Sequence, residues 1–533
     1  MSAEVASQTE RSVQQADDPG RWKSWGISIA DALGKLTLWQ LTALIWISSL
    51  GMSILLLGMP RDTIHGTMNI VENWGAIERV ALWQDWLEPV IPRFELPTGF
   101  ITWGFRLSML LGFLAQVGVF VSIMRSPGSR AWLWWLGPIG AHIIQFFLMI
   151  PSNSDVFFYS GVGDMVGQGM NPYLHFMSDL PDSPLYPFMF WVDIGTVYGP
   201  QWVNYNVALI AISGNDPVIS TLWQKAFSGL AALALAGVVY IFTKKLSTGN
   251  TTLALALAML VAWQPNMILE SSGQVHNDPH TVLIATAGLM VVVWGGISAL
   301  RAGLILVAFS VMVKFITLPL FGVLGILRIV DRKKPNWMWN IFGKWIFDGI
   351  AILGVIVLSF LPYWDGPHTL DEMIREPSRL YTNPIWRSIN GIIRSVTNSH
   401  ISWRWSEISR DVLQFGSSAI FVGIVVWLGY KLWHDSHVSA DPGEDDLLPE
   451  GVPWWTGHLL YAWLAFFLVM SYVPVNSHPW YWVWPVSAVA QVIAWEFRNG
   501  RVWSVRATPG WLWAFLWFNA AMTLAYHTRI ARY

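Results

Sequence analysis

Asp155 is the first residue in this chain whose position suggests chemistry. It lies in Ser154-Asp155-Val156-Phe157-Phe158-Tyr159, a few residues after a long apolar run ends. A carboxylate there is ionised at neutral pH unless strongly desolvated, and it can act as a general base toward a hydroxyl. The same position equally suits a cap for a helix starting at Val156. The segment continues through Asp164 and several glycines to Asn171-Pro172-Tyr173, then to Tyr198-Gly199-Pro200.

A second group, Glu270 to Pro279, contains His276-Asn277-Asp278 between two apolar runs. These side chains can orient a hydroxyl or hold a cation. They also read as a polar turn in which Asp278 caps a helix and Pro279 takes its first position. A third group, His478-Pro479-Trp480-Tyr481-Trp482, fits an aromatic belt at a membrane interface or a surface that stacks on a sugar. Lys314 sits inside an apolar run, where a cation is a functional candidate unless it snorkels to the surface. Arg375, Arg379, Arg387, Arg394, Arg404 and Arg410 crowd one polar stretch, and guanidinium forks match phosphate oxygens. Asp371, Glu372, Glu376 and Glu407 are available there to pair with some of them.

The elements that must position these groups are membrane helices. Charged residues make up only 12% of the chain and hydrophobic ones 54%, with a mean hydropathy of +0.43. A soluble domain carries about 25% charged residues, so an ordinary soluble enzyme is excluded, as is a disordered chain. The 36 Trp residues suit a protein rich in apolar–polar boundaries. A net charge of −2 argues against a nucleic-acid partner. The absence of Cys removes thiolate metal sites and Cys nucleophiles. No Walker loop, His-Glu-x-x-His or Gly-x-Ser-x-Gly motif is present.

Apolar runs at 37–59, 99–124, 132–151, 218–243, 252–271, 280–300, 302–327, 339–362, 411–433, 455–474, 479–495 and 510–527 predict an all-α polytopic protein with about twelve membrane helices, a range of roughly 11–13. A run at 201–213 is too short to cross. Residues 1–36 read as a solvated cytoplasmic tail and 37–533 as a single transmembrane domain. Arg125, Arg130, Lys244, Lys245, Arg328, Arg332, Lys333, Lys334, Arg498 and Arg501 flank runs and mark the cytoplasmic side. The segment 434–451 reads as a flexible loop there. Opposite lie an acidic loop at 152–217 and the Arg-rich loop at 363–410. The run 302–327 starts after Arg301 and ends before Arg328, so both ends look cytoplasmic. Either it is a pair of half-helices broken near Lys314 and Pro319, or the orientation slips by one span.

Taken in order, Asp-Val with a following Tyr, Asn-Pro-Tyr, Tyr-Gly-Pro, Gly-x-x-His-Asn-Asp, Val-Lys-Phe and Pro-Trp-Tyr-x-x-Trp-Pro resemble the GT-C superfamily of membrane glycosyltransferases. The series spans about Ser154 to Pro485 and is most similar to bacterial polyprenyl-phosphate-mannose-dependent α-mannosyltransferases. The resemblance implies a GT-C fold with short half-helices and large extracytoplasmic loops. It implies inverting transfer of a hexose, mannose by analogy, from a polyprenyl-phosphate donor to a glycan or glycolipid acceptor at the extracytoplasmic face of the plasma membrane. Asp155 becomes the catalytic base. Tyr159, Asn171, Tyr173, Tyr198, His276, Asn277, Asp278, Lys314, Arg375, Arg379, Arg387, His478, Trp480 and Tyr481 become substrate-binding candidates. No cofactor is required, although the Asp-rich loop leaves a divalent cation open.

Two other classes remain open at this point. A secondary transporter predicts two similar halves with paired broken helices, and no convincing repeat is seen. A polysaccharide ligase or polymerase of another fold also uses Arg-bearing external loops, but does not need the Asp155 carboxylate.

Overall fold

The computed structural model describes residues 21–58, 96–126, 130–149, 155–189, 191–333, 336–375, 383–396, 402–438, 448–474, 477–499 and 508–526. Among them every regular element is helical and no strand occurs. The helices used below are α1 Arg21–Leu33, α2 Leu38–Leu57, α3 Thr98–Arg125, α4 Leu136–Leu148, α5 Asp155–Gly167, α6 Pro200–Ser213, α7 Pro217–Leu246, α8 Thr251–Ala262, α9 Asp278–Gly295, α10 Leu300–Val313, α11 Leu320–Gly325, α12 Trp337–Phe360, α13 Ser402–Val438, α14 Thr456–Tyr472, α15 Trp484–Glu496 and α16 Gly510–Tyr526.

Seven helices among the described residues are long and apolar enough to cross a membrane. An eighth appears if α8 and Pro265–Gly273, bent by 53° at Trp263-Gln264, count together. The protein is polytopic and all-α, as expected, but long spans are fewer than apolar runs. Three late runs fold as helices of 17, 13 and 17 residues (α14, α15, α16). At 1.5 Å per residue, each falls short of a hydrocarbon core of about 30 Å.

The longest apolar stretch, Asp278–Val313, is a hairpin. Gly296 turns the chain with φ 61°. Beyond it α10 packs back along α9, where a Cβ on Gly288 would lie 2.9 Å from Gly303 O. The Ser310 hydroxyl donates to Thr281 O at 2.8 Å across the same seam.

The ambiguity over 302–327 resolves as a re-entrant pair. The chain leaves α10 at Lys314, whose backbone is extended (φ −148°, ψ 121°). It then returns through α11 and a 3-10 segment, Ile326–Lys333. Arg328 Nη1 donates to Ile297 O at 3.2 Å. Arg301 and Arg328 both bind the Asp348 carboxylate, at 2.9 and 2.8 Å. Both ends of the run therefore meet at one end of the bundle, and Lys314 is carried to the other.

Lys244, Lys245 and Arg498 lie at that same Arg301–Arg328 end. The Thr248 hydroxyl donates to Arg498 O at 3.0 Å, and α15 runs from there to Trp484 beside Lys314. The tail expectation needs one correction: 21–33 is a helix. Ile27, Ala30 and Leu33 recur at helical spacing, and this face packs against α3, with Ala30 fully buried.

Candidate active site

Four turns line a cavity of about 570 Å³ at the end opposite the Arg301–Arg328 cluster, and a fifth, His276–Asp278, stands behind it against Asp155 and Lys314. Asp155 opens α5, and Tyr198-Gly199-Pro200 opens α6. His276–Asp278 opens α9, Lys314 forms the re-entrant tip, and His478-Pro479 enters the short helix leading to α15. Proline explains three of these turns. It favours extended backbone in the residue before it, and its fixed φ suits the first turn of a helix. Several helix N-termini thus face one space, where their dipoles favour an anion.

Gly199 sets how closely two of these turns approach. Its N–H bonds Val313 O at 3.2 Å, and a Cβ would overlap Met312 O and stand 2.7 Å from Met312 Cα. Only glycine lets Tyr198 come this near Lys314.

Lys314 Nζ contacts both oxygens of Asp278, at 2.9 and 3.0 Å. The Trp484 indole donates to Asp278 Oδ1 at 2.8 Å, and Asp278 is fully buried. Lys314 also lies 4.7 Å from the ring centre of Tyr481 and 5.7 Å from that of Trp484. An ammonium has three donors, so two bonds to Asp278 leave one for a ligand in the cavity that Lys314 lines.

Asp155 lines the same cavity and is the one carboxylate among its described lining residues. Its side chain keeps 20% exposure. Burial raises its pKa above the ordinary carboxylate value, opposed by His276, by Lys314 and by a hydrogen bond from Trp191. Tyr198 lines the cavity beside it. Burial, with Asp155 next, pushes the Tyr198 hydroxyl well above its usual pKa, so it stays a donor. Tyr159 donates to the Tyr198 oxygen at 3.3 Å, leaving the Tyr198 proton for a ligand.

Behind Asp155 stands His276. Its Nε2 is 3.8 Å from Asp155 Oδ2, and its Nδ1 is 2.8 Å from Glu270 Oε2. Burial lowers its pKa to about 4, so the imidazole is neutral. Trp480 stacks on His276 at 3.8 Å and on His478 at 4.2 Å, with near-parallel planes. Two imidazoles so close to one indole centre cannot share a face, so they sandwich it.

This arrangement redistributes the candidates. Tyr198, Lys314, His478, Trp480 and Tyr481 line the cavity with Asp155. Both faces of Trp480 are occupied by imidazoles, so it meets the cavity by its edge and has no face left to stack on a sugar. Tyr159 and Tyr173 are buried beneath Tyr198. Tyr159 meets Tyr198 and Trp202 edge-on, and the Tyr173 hydroxyl donates to Tyr198 O at 2.8 Å. Asn171 accepts from Tyr173 N–H and donates to Tyr363 O at 2.7 Å. These three support Tyr198 and do not line the cavity. Asn277 is fully buried, and its side-chain nitrogen and oxygen find no hydrogen-bond partner among the described residues. Of the Arg loop, Arg379 lies outside the described residues, as do the side chains of Arg375 and Arg387.

Trp191 and Trp484 were not among the expected site residues. Trp484 was legible as the last Trp of Pro-Trp-Tyr-x-x-Trp-Pro, whereas Trp191 follows Phe190 with nothing to single it out. The remaining wall is apolar, including Phe158, Ile316, Met373, Phe421 and Val422. Among the described residues no three His, Asp or Glu side chains converge as a metal site.

Residues 106–330 match the family described as the alpha-(1->6)-mannopyranosyltransferase N-terminal domain. That stretch contains Asp155, Tyr198, His276–Asp278 and Lys314, while His478–Tyr481 lies beyond it. No curated protein and no solved structure matches the chain.

Proposed function

Taking the chain as a GT-C mannosyltransferase-like membrane protein, we propose that it transfers a hexose, with mannose the first choice, from a polyprenyl-phosphate donor to a hydroxyl of a glycan or glycolipid. The observation that carries this reading is one cavity with a carboxylate, an ammonium and a long apolar wall. Asp155 faces Lys314 across a space lined by Phe158, Ile316, Phe421 and Val422. A donor that joins a sugar phosphate to an isoprenoid chain needs this combination.

In the mechanism, Asp155 accepts the proton of the acceptor hydroxyl as its oxygen attacks C1. The C1–O bond to the phosphate breaks on the opposite face, so configuration inverts. Negative charge grows on the leaving polyprenyl phosphate, where Lys314 and the convergent helix N-termini stabilise it. Asp278 and Trp484 hold the ammonium in place before the donor arrives. Tyr198 donates to a sugar oxygen. Because Lys314 supplies the positive charge, the scheme needs no cofactor. The Arg side chains of 363–410 are a further source of charge for the phosphate.

Charge supports an extracytoplasmic face for the cavity. Arg301, Arg328 and Arg498 mark the opposite end of the bundle, and cytoplasmic loops carry the excess of Lys and Arg. On this reading the cavity opens extracytoplasmically in the plasma membrane, where a lipid-borne sugar is the accessible donor.

The test is transfer in proteoliposomes supplied with labelled polyprenyl-phosphate mannose or with a labelled nucleotide mannose. The reading expects product from the lipid donor alone. Equal transfer from the nucleotide sugar in the absence of any lipid-sugar synthase refutes it.

A further inference from the structure

Arg301, Arg328 and Asp348 meet at the end of the bundle away from the cavity, and their charges do not balance. The buried Asp348 carboxylate takes Arg328 as a fork, from Nε at 2.8 Å and from Nη2 at 3.0 Å. Arg301 adds only its Nε, at 2.9 Å, so the trio keeps one positive charge. Arg328 Nη1 is engaged by Ile297 O, whereas both terminal nitrogens of Arg301 have no hydrogen-bond partner among the described residues. The Arg301 side chain is 45% exposed. We propose that Arg301 holds the phosphate of an anionic phospholipid whose acyl chain lies along α12.

The surroundings of Arg301 decide the occupant. Its Cζ stands 5.8 Å from the ring centre of Phe347, which is 61% exposed. From Phe347 an exposed stripe continues through Ile350, Leu353 and Val357, at the spacing that keeps residues on one helix face. It runs toward the cavity end, where Ser359 meets Gln201 of α6. At 1.5 Å per residue the stripe is about 15 Å long, half of a hydrocarbon core of about 30 Å and so the depth of one leaflet. On the other side of Phe347, toward the start of α12, Trp339 and Trp345 are exposed, and aromatic residues collect at the membrane–water boundary. Arg301 therefore heads a lipid-facing stripe at the level of the headgroups.

A guanidinium N–H left against acyl chains is costly, and the oxygens of a phosphodiester fit its fork. The surplus charge selects a lipid with a net negative headgroup over a zwitterionic one, whose own cation competes for the same phosphate. Arg332, Lys333 and Lys334 follow Arg328 closely in the sequence and strengthen that preference, as basic clusters beside membrane helices do. The site is separate from the cavity, and the proposal does not depend on the transfer chemistry.

In the experiment, full-length protein stripped of lipid in detergent is titrated with phosphatidylglycerol or with phosphatidylcholine of the same acyl chains, and bound lipid is counted by native mass spectrometry. Wild type should hold its first phosphatidylglycerol about tenfold more tightly than its first phosphatidylcholine, the size of a charge-assisted contact. Arg301→Gln should lose that preference. Arg328 keeps its fork on Asp348 in this variant, so no buried charge is stranded. Lys244→Gln removes an exposed cation from the last turn of α7 at the same end and should keep the preference. A wild type without the preference overturns the proposal, whatever the variants do. So does a preference retained in R301Q, or one lost equally in K244Q, which would make the attraction a property of the whole basic end. Displacement of phosphatidylglycerol by millimolar inorganic phosphate would overturn it too, by showing a site for the free anion.

Discussion

Replacing Gly199 by Ala tests whether the approach of two turns is what builds the site. The added methyl would overlap Met312 O and stand 2.7 Å from Met312 Cα, where real Cβ atoms keep at least 3.0 Å. The obstacle is backbone, so no rotamer change relieves it. The Tyr198 turn and the Lys314 turn must separate by on the order of 1 Å, the scale at which misplacement costs about a hundredfold in rate. The strain of overpacking costs about 1–3 kcal/mol. Gly237 is the control, because it lies inside α7 with nothing within 4 Å of its absent Cβ. Ala there should be neutral or should stabilise by up to about 1 kcal/mol. Mannose transfer and thermal unfolding are measured on both variants in one detergent. Gly199→Ala should lose far more transfer than its stability loss explains, with Gly237→Ala unaffected. Full transfer by Gly199→Ala would refute the claim that this backbone contact positions Tyr198 against Lys314.

Three further outcomes follow from the same geometry. Lys314→Met leaves the buried Asp278 carboxylate without its cation and should destabilise by about 3–5 kcal/mol. Adding Asp278→Asn should recover much of that stability but none of the transfer, and a double variant less stable than Lys314→Met alone would contradict this. Lys225 binds the carbonyls of Gln145 and Phe146 at the end of α4, so Lys225→Met should lower the melting temperature by leaving them without that donor; an unchanged melting curve would contradict it. With pH, His276 has a folded pKa near 4 against 6.5 unfolded, so its contribution is intact above 6.5 and is lost as pH falls toward 4. That window amounts to about 3 kcal/mol, and His276→Gln should flatten the stability curve there. Asp155 has a raised pKa and must be ionised to act, so transfer should fall with acid above the ordinary carboxylate range.

The fold class and the order of the site motifs were legible because membrane helices need long apolar runs and because X-Pro pairs announce helix starts. Tyr198-Gly199-Pro200, Asp278-Pro279 and His478-Pro479 all open helices at the cavity end of the bundle. The conflict at 302–327 left two readings, a broken pair of half-helices or an orientation slipped by one span, and the turn that presents Lys314 agrees with the first. The layering of aromatic residues was not legible. Tyr159 and Tyr198 look alike in sequence, but only packing decides which lines the cavity and which lies beneath it. Trp480 is spaced like a stacking platform, and it takes coordinates to show that His276 and His478 occupy its faces. Long-range partners such as Trp484 for Asp278, 206 positions apart, leave no local signal.

The central claim is that Asp155 removes the acceptor proton. It is tested most directly by single-turnover transfer from labelled polyprenyl-phosphate mannose with wild type and Asp155→Asn at matched levels in membranes. Loss of about a hundredfold or more in the chemical step, with donor binding retained, is the result predicted for removal of a general base. Transfer that survives the substitution would return Asp155 to the role of a residue that only starts a helix.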